Sequence, residues 1–208
     1  ITSYKRAQKA IADGLFKAQI VGVDVQQGKE TVKILVDEEP GKAKFDKMAG
    51  LRPAFEKDGT ITAANASKIN DGAAATVLMS ESKLKELGKT PMARIVAYGH
   101  FAHDPKWFTT APVTAIKRTL EKAKLKASDI DLYEINEAFA NVTMAAMKDL
   151  DIPHEKVNIN GGAIAIGHPI GGSGARIFTT LLYNLKQQNK RYGLATLCIG
   201  GGEAVACI

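Results

Sequence analysis

Apolar residues recur at helical intervals over the first 20 positions. Tyr4, Ala7, Ile11 and Leu15 share one face, and the pattern predicts a helix that Gly14 weakens near its end. Residues 21–25 and 31–36 read as two strands joined by a turn at 26–30. Residues 37–60 are polar, charged and proline-bearing, the texture of a long passage over a surface. From Ile61 the pattern changes: residues 63–72 are small and polar, and 73–79 form an apolar run suited to a buried strand. Beyond Pro91 strands and helices alternate. A strand is expected over 93–99, then a helix with Pro112 in its first turn and Val113, Ile116 and Leu120 on one face. A short strand over 132–135 leads to a helix carrying Phe139, Val142, Ala146 and Leu150, with Asn136 as its N-cap. Another strand at 157–160, a helix over 175–187 and two strands at 193–198 and 203–208 around a glycine turn complete the chain. The pattern predicts an α/β fold with a mixed sheet and a boundary near Pro91.

The composition is that of a globular protein, 45% hydrophobic and 24% charged over 208 residues, and no apolar stretch approaches the ~20 residues of a membrane span. The chain opens at Ile1 without a methionine or a basic, apolar leader, as a processed chain or a piece of a longer one would. Two cysteines, Cys198 and Cys207, make neither a disulfide framework nor a metal-ligand spacing. No metal site is therefore expected, and a reducing compartment is: the cytoplasm, with the mitochondrial matrix open. The formal charge of +6 fits either a solvated basic surface or attraction for a polyanion. The positive residues are scattered and match no nucleic-acid motif, so neither a nucleic-acid nor a membrane partner is expected.

The segment GGAIAIGHPIGGSGAR (161–176) holds six glycines within 161–174, which let the backbone turn sharply and approach something closely. It lacks the lysine of a P-loop and the pattern of a dinucleotide fingerprint. Within it, His168 stands between Gly167 and Pro169, where an imidazole can take a proton from a nucleophile or donate to an oxyanion. Cys198 ends an apolar strand before a glycine turn, as a small buried hydrophobe or as a reactive thiol, with the Gly200 N–H free to act as an oxyanion donor. Cys207 reads as structural. Asn136 is a helix cap or the holder of a water molecule, and Ser67 a turn residue or a ligand contact. His100, His103 and His154 have no partner spacing and read as surface residues.

Taken together, NEAFA (136–140), GGAIAIGHPIGGSGAR (161–176), CIGGGE (198–203) and NASKINDGAAA (65–75) resemble the C-terminal half of a thiolase, most closely the short-chain, biosynthetic acetoacetyl-CoA type. The resemblance implies a thiolase-like fold. Residues 1–69 would be the end of the loop domain, 70–91 the strand and helix returning to the N-terminal half, and 92–208 a complete C-terminal βαβαβαββ half. The N-terminal half itself would be missing. It implies condensation of two acetyl-CoA to acetoacetyl-CoA and CoA, or thiolysis in reverse, with CoA thioesters as substrates and no cofactor. His168 would activate the nucleophile and stabilise the thioester oxyanion, and Asn136 would hold the water that completes that oxyanion hole. Cys198 would be the acid/base, Gly200 N–H a donor of the second oxyanion hole, Ser67 a pantetheine contact and Phe139 part of the acyl pocket. The family's nucleophilic cysteine has no counterpart here, so the chain alone is expected to be inactive. Partners implied are the missing half and a second or further copy, as a homodimer or homotetramer. Glu203, beside the glycine turn, receives no role. The alternatives are a non-catalytic acyl-CoA or lipid-binding module, or a subunit that completes a partner chain's active site.

Overall fold

The computed structural model describes residues 1–208. Helix α1 (Thr2–Ala12) is followed by an antiparallel hairpin of β1 (Val23–Gln27) and β2 (Glu30–Ile34). The short helices α2 (Phe45–Met48) and α3 (Glu81–Glu86) punctuate a long irregular passage. Strand and helix then alternate through β3 (Tyr98–Ala102), α4 (Ala111–Ala123), β4 (Leu132–Ile135) and α5 (Ala140–Leu150). A single turn, α6 (Ala163–Ile166), precedes α7 (Ser173–Gln187), β5 (Gly193–Ile199) and β6 (Glu203–Cys207). No helix is long and apolar enough to cross a membrane.

The main sheet has the order β3-β6-β5-β4, in which β4 and β5 run parallel and the other neighbours antiparallel. This is the mixed sheet that the alternation predicts, although three expected strands differ. Residues 157–160 contribute one parallel bridge, Val157 to Tyr133, because Asn158 turns into the left-handed region at φ 47° and breaks the extension. The strand expected over 93–99 is β3, five residues later, where the chain enters register with β6. Residues 96 and 97 only exchange hydrogen bonds with Ile208. The apolar run 73–79 forms no strand, and Val77 and Leu78 are 85% and 70% exposed. An apolar pattern makes a strand only where another strand supplies donors and acceptors, and none in this chain lies beside it. Helix α1 also ends sooner than its pattern suggests, because Gly14 at φ 71° turns the chain away.

The core explains the order of the elements. In α4, Ala111, Ala115, Ile116 and Leu120 form a buried stripe over the sheet, and Pro112 occupies the first turn as predicted. A Cβ at Gly99 would come within 2.6 Å of Thr119 Oγ1, so a glycine in β3 allows α4 to lie close. On the opposite face Ile177 and Leu181 of α7 pack against Leu132 and Ala195. Strand β4 is covered on both faces and all four of its residues are buried, as a parallel pair requires. Because β4 and β5 run parallel, their carboxyl ends emerge at one edge, where ligands of open α/β sheets bind. Asn136 follows the last residue of β4 there, and Cys198 is the last but one residue of β5.

Candidate active site

Asn136 continues the ladder one step past β4, its N–H donating to Thr196 O at 2.9 Å. That bond keeps it extended, so it does not cap a helix: α5 starts at Ala140 and its N-cap is Phe139, with φ −140° and ψ 157°. Phe139 accordingly stands before the helix and not on its face. Asn136 is 1% exposed, and its Nδ2 lies 3.4 Å from His168 Nε2. Its Oδ1 is buried and accepts no hydrogen bond from the chain.

His168 is delivered by the glycine-rich segment. Gly167 has φ 92°, and a Cβ there would collide with the side chain of Asn70, so no other residue fits. The His168 N–H donates to Lys68 O at 2.7 Å. Its Nδ1 lies 2.5 Å from Ser173 Oγ, and Ser173 donates its own proton to Pro169 O at 3.1 Å. A hydroxyl has one proton to give, so Nδ1 carries the imidazole proton and donates it to Ser173. Nε2 is then a lone pair facing Asn136. Burial, with the charge of Arg176 adding to it, pushes the His168 pKa below the ordinary histidine value.

Residues 65–69 thread between the two loops. Ser67 N–H donates to Ala138 O at 2.9 Å, Ala66 bridges Phe139, and Ile69 bridges His168. Ser67 is thus half-buried beside both Asn136 and His168 segments. Phe139 is the middle of an aromatic row, with Phe55 and Phe108 each 6.1 Å away in edge-on contact.

Cys198 lies in the core opposite Ala204. Burial raises its thiol pKa to about 11, so it is protonated at neutral pH. Gly200 is exposed in the turn after β5, and its N–H donates to no group of the chain. The Glu203 carboxylate lies under that turn, where a Cβ on Gly201 would meet its oxygens at 2.7 and 2.9 Å. Cys207 stays a partly buried free thiol. His100 and His154 are exposed, while His103 is half-buried and bonded through Nε2 to Trp107 O at 2.7 Å.

Several site residues escape sequence reasoning. Ser173 looks like the start of a helix, and only its five-residue distance from His168 hints at a partnership. Arg176 is charged and sits on α7, but its guanidinium nitrogens are all buried and donate to no group of the chain. Burial lowers its pKa, and the carboxylates of Glu134, Glu137 and Asp37 oppose that. Glu134 is buried beneath it and bonded to Asn184, and burial raises its carboxyl pKa to about 8. Phe55 and Phe108 carry no motif at all.

Two family models match the chain. The model described as the thiolase C-terminal domain matches residues 89–208, and that of the thiolase N-terminal domain matches residues 1–82. The chain belongs to the thiolase family. A probable acetyl-CoA acetyltransferase of Dictyostelium discoideum is 50% identical over 209 residues, covering 100% of this chain and 50% of that protein. The crystal structure of the Bacillus anthracis acetyl-CoA acetyltransferase superposes with a TM-score of 0.96 at 47% identity, over 99% of this chain and 52% of its own. The Acat5 thiolase of Ascaris suum, solved in complex with coenzyme A, does so with a TM-score of 0.89 at 41% identity, over 99% of this chain and 52% of its own. The chain thus spans about half the length of the relatives it matches. The N-terminal domain model matches residues 1–82, so the expectation from sequence that the N-terminal half is missing is not confirmed.

Proposed function

We propose that this chain supplies the histidine and acid/base half of an acetyl-CoA acetyltransferase, which condenses two acetyl-CoA to acetoacetyl-CoA and CoA or runs the thiolysis in reverse. The observation that carries the reading is the pairing of Asn136 Nδ2 and His168 Nε2 at 3.4 Å, with Ser173 holding the opposite ring nitrogen. The acylated cysteine belongs to the rest of the protein, since Cys198 and Cys207 lie in β5 and β6. We place residues 1–69 as loop-domain chain, 70–91 as the return to the N-terminal half and 92–208 as the C-terminal half.

The His168 Nε2 lone pair takes the proton of the nucleophilic thiol, whose sulfur attacks the thioester carbonyl of acetyl-CoA. The S–acyl bond to CoA breaks and CoA leaves as a thiolate that takes its proton from solvent, while His168 keeps the thiol proton on Nε2 until the cysteine sulfur departs and takes it back. Cys198, as thiolate, then removes the α-proton of a second acetyl-CoA. That carbanion attacks the acyl-cysteine, forming the carbon–carbon bond as the cysteine sulfur departs. The oxygen of the second thioester, negative while the carbanion exists, accepts from His168 Nε2–H, protonated at that stage, and from a water bound to Asn136. Gly200 N–H donates to the oxyanion on the acyl-cysteine. Donors of this kind contribute roughly 3–4 kcal/mol each. In thiolysis the protonated Cys198 thiol is the acid that returns the α-proton. Ser67 meets the pantetheine arm and Phe139 the acyl group. CoA thioesters are substrates and the scheme uses no cofactor. Free thiols suit a reducing compartment, and we expect a homodimer or homotetramer.

The test is thiolysis of acetoacetyl-CoA by CoA in the full-length protein. Activity should be present and fall at least about 100-fold in His168→Ala and in Cys198→Ala. An inactive wild-type protein would overturn the function, and activity that survives both substitutions would overturn the assignments.

A further inference from the structure

Glu137 follows Asn136 in the connector between β4 and α5, and it is 6% exposed. Its carboxylate gathers three segments that are remote in sequence. Oε2 accepts from Ser3 Oγ at 2.6 Å and from the Ile164 N–H at 3.1 Å, while Oε1 accepts from Asn158 Nδ2 at 2.9 Å. Ser3 Oγ in turn accepts from the Gly162 N–H at 3.0 Å, so a second amide of the same loop is tied to the same centre. A Cβ on Gly162 would meet the Glu137 carboxylate carbon at 2.5 Å and its oxygens at 2.7 and 2.8 Å, which shows how closely the loop backbone rests on it. On the other side Asn158 brackets Ile135, accepting from its N–H and donating to its carbonyl, each at 2.8 Å. Ile135 is the last residue of β4, immediately before Asn136.

One buried carboxylate therefore ties the strand end that carries Asn136 to the loop that carries His168. We propose that Glu137 is a positioning residue: it sets the spacing of Asn136 and His168 by clamping residues 161–168 to the end of β4. The proposal rests on the reading of that pair as the oxyanion donors, and Glu137 itself touches no reacting atom. The position demands an acid. Every group facing it is a donor, and Asn158 cannot turn its amide because Ile135 fixes both ends of it. A glutamine here must point its NH2 either at Asn158 Nδ2 or at the Ile164 N–H, so one donor always faces another.

The test is Glu137→Gln in the full-length protein, read in two ways. By hydrogen exchange and mass spectrometry, amides of 161–168 should exchange about tenfold faster while those of α7 keep their protection. In acetoacetyl-CoA thiolysis, kcat should fall about tenfold or more with KM changed less than about twofold. Because Glu137 acts through the pair, adding Glu137→Gln to Asn136→Ala should cost less than about threefold more. Unchanged exchange at 161–168, or a full multiplicative loss in the Asn136→Ala background, would overturn the proposal. If wild-type protein shows no thiolysis, the proposed function fails and the exchange arm still decides the clamp. If Glu137→Gln loses protection everywhere, Ser3→Ala is read in its place. It removes one donor to Glu137 and the acceptor of Gly162, and unchanged exchange at 161–168 would overturn the clamp there too.

Discussion

The proton on His168 is held by one oxygen, and Ser173→Ala removes it. Ser173 Oγ lies 2.5 Å from Nδ1, and Ser173 is 0% exposed, so water does not take its place freely. A buried N–H left without an acceptor costs about 1–3 kcal/mol, or about 5- to 150-fold in the population that keeps the proton on Nδ1. The displaced proton goes to Nε2, where it blocks the lone pair that the reaction needs. The kcat for thiolysis of acetoacetyl-CoA by the full-length protein should fall by that factor. KM should hold within about twofold, because Ser173 meets no part of the substrate in this reading. A thermal melt of each protein separates this effect from a loss of folding. A kcat within about twofold of wild type at an unchanged melting temperature would refute the tautomer argument. So would a change confined to KM.

Burial and Arg176 hold the His168 pKa below its ordinary value of 6.5, so the neutral, active imidazole persists through neutral pH and is lost only as pH falls further. The acid limb of the kcat profile that disappears in His168→Ala should therefore lie below pH 6.5, and a limb at or above that value would contradict the placement. Cys198, with its pKa raised to about 11, should react slowly with iodoacetamide at pH 7 and faster as pH rises towards 11, as mass spectrometry of the modified peptide would show. Its thiol form should also keep thiolysis from declining on its account until pH nears that value, while condensation, which needs the thiolate, gains with pH. Labelling at pH 7 as fast as a free thiol would refute the burial. Gly167→Ala places a side chain at φ 92° and against Asn70, and should lower stability in urea denaturation by about 1–3 kcal/mol; a loss below measurement would refute the strain.

Much of the fold is legible in the chain because the deciding forces are local. Pro112 announces the first turn of α4, the run at 132–135 is β4 to the residue, and the glycine turn at 200–202 joins β5 to β6. Local pattern fails where a ladder partner decides. Residues 73–79 have the composition of a strand without a neighbour, and 157–160 lose theirs to the left-handed turn at Asn158. The site divides in the same way. The loop that bears His168, the thiol at Cys198 and the aromatic at Phe139 are announced by unusual residues in unusual company. Their partners are ordinary residues made special by position: Ser173, Glu137, Arg176, Phe55 and Phe108.

By itself the sequence determined the alternation of strands and helices and the glycine-rich loop, and it singled out the candidate reactive groups, because these depend on side-chain type and short spacing. Tertiary structure alone decided that Asn136 leaves helix capping to face an imidazole 32 residues away, and that a serine lies against the other nitrogen of that ring. It also decided that one glutamate ties the two loops together. These are matters of distance across the sheet edge. Distance between residues far apart in the chain is set by how α4, α7 and the four strands pack, which no short stretch of sequence contains.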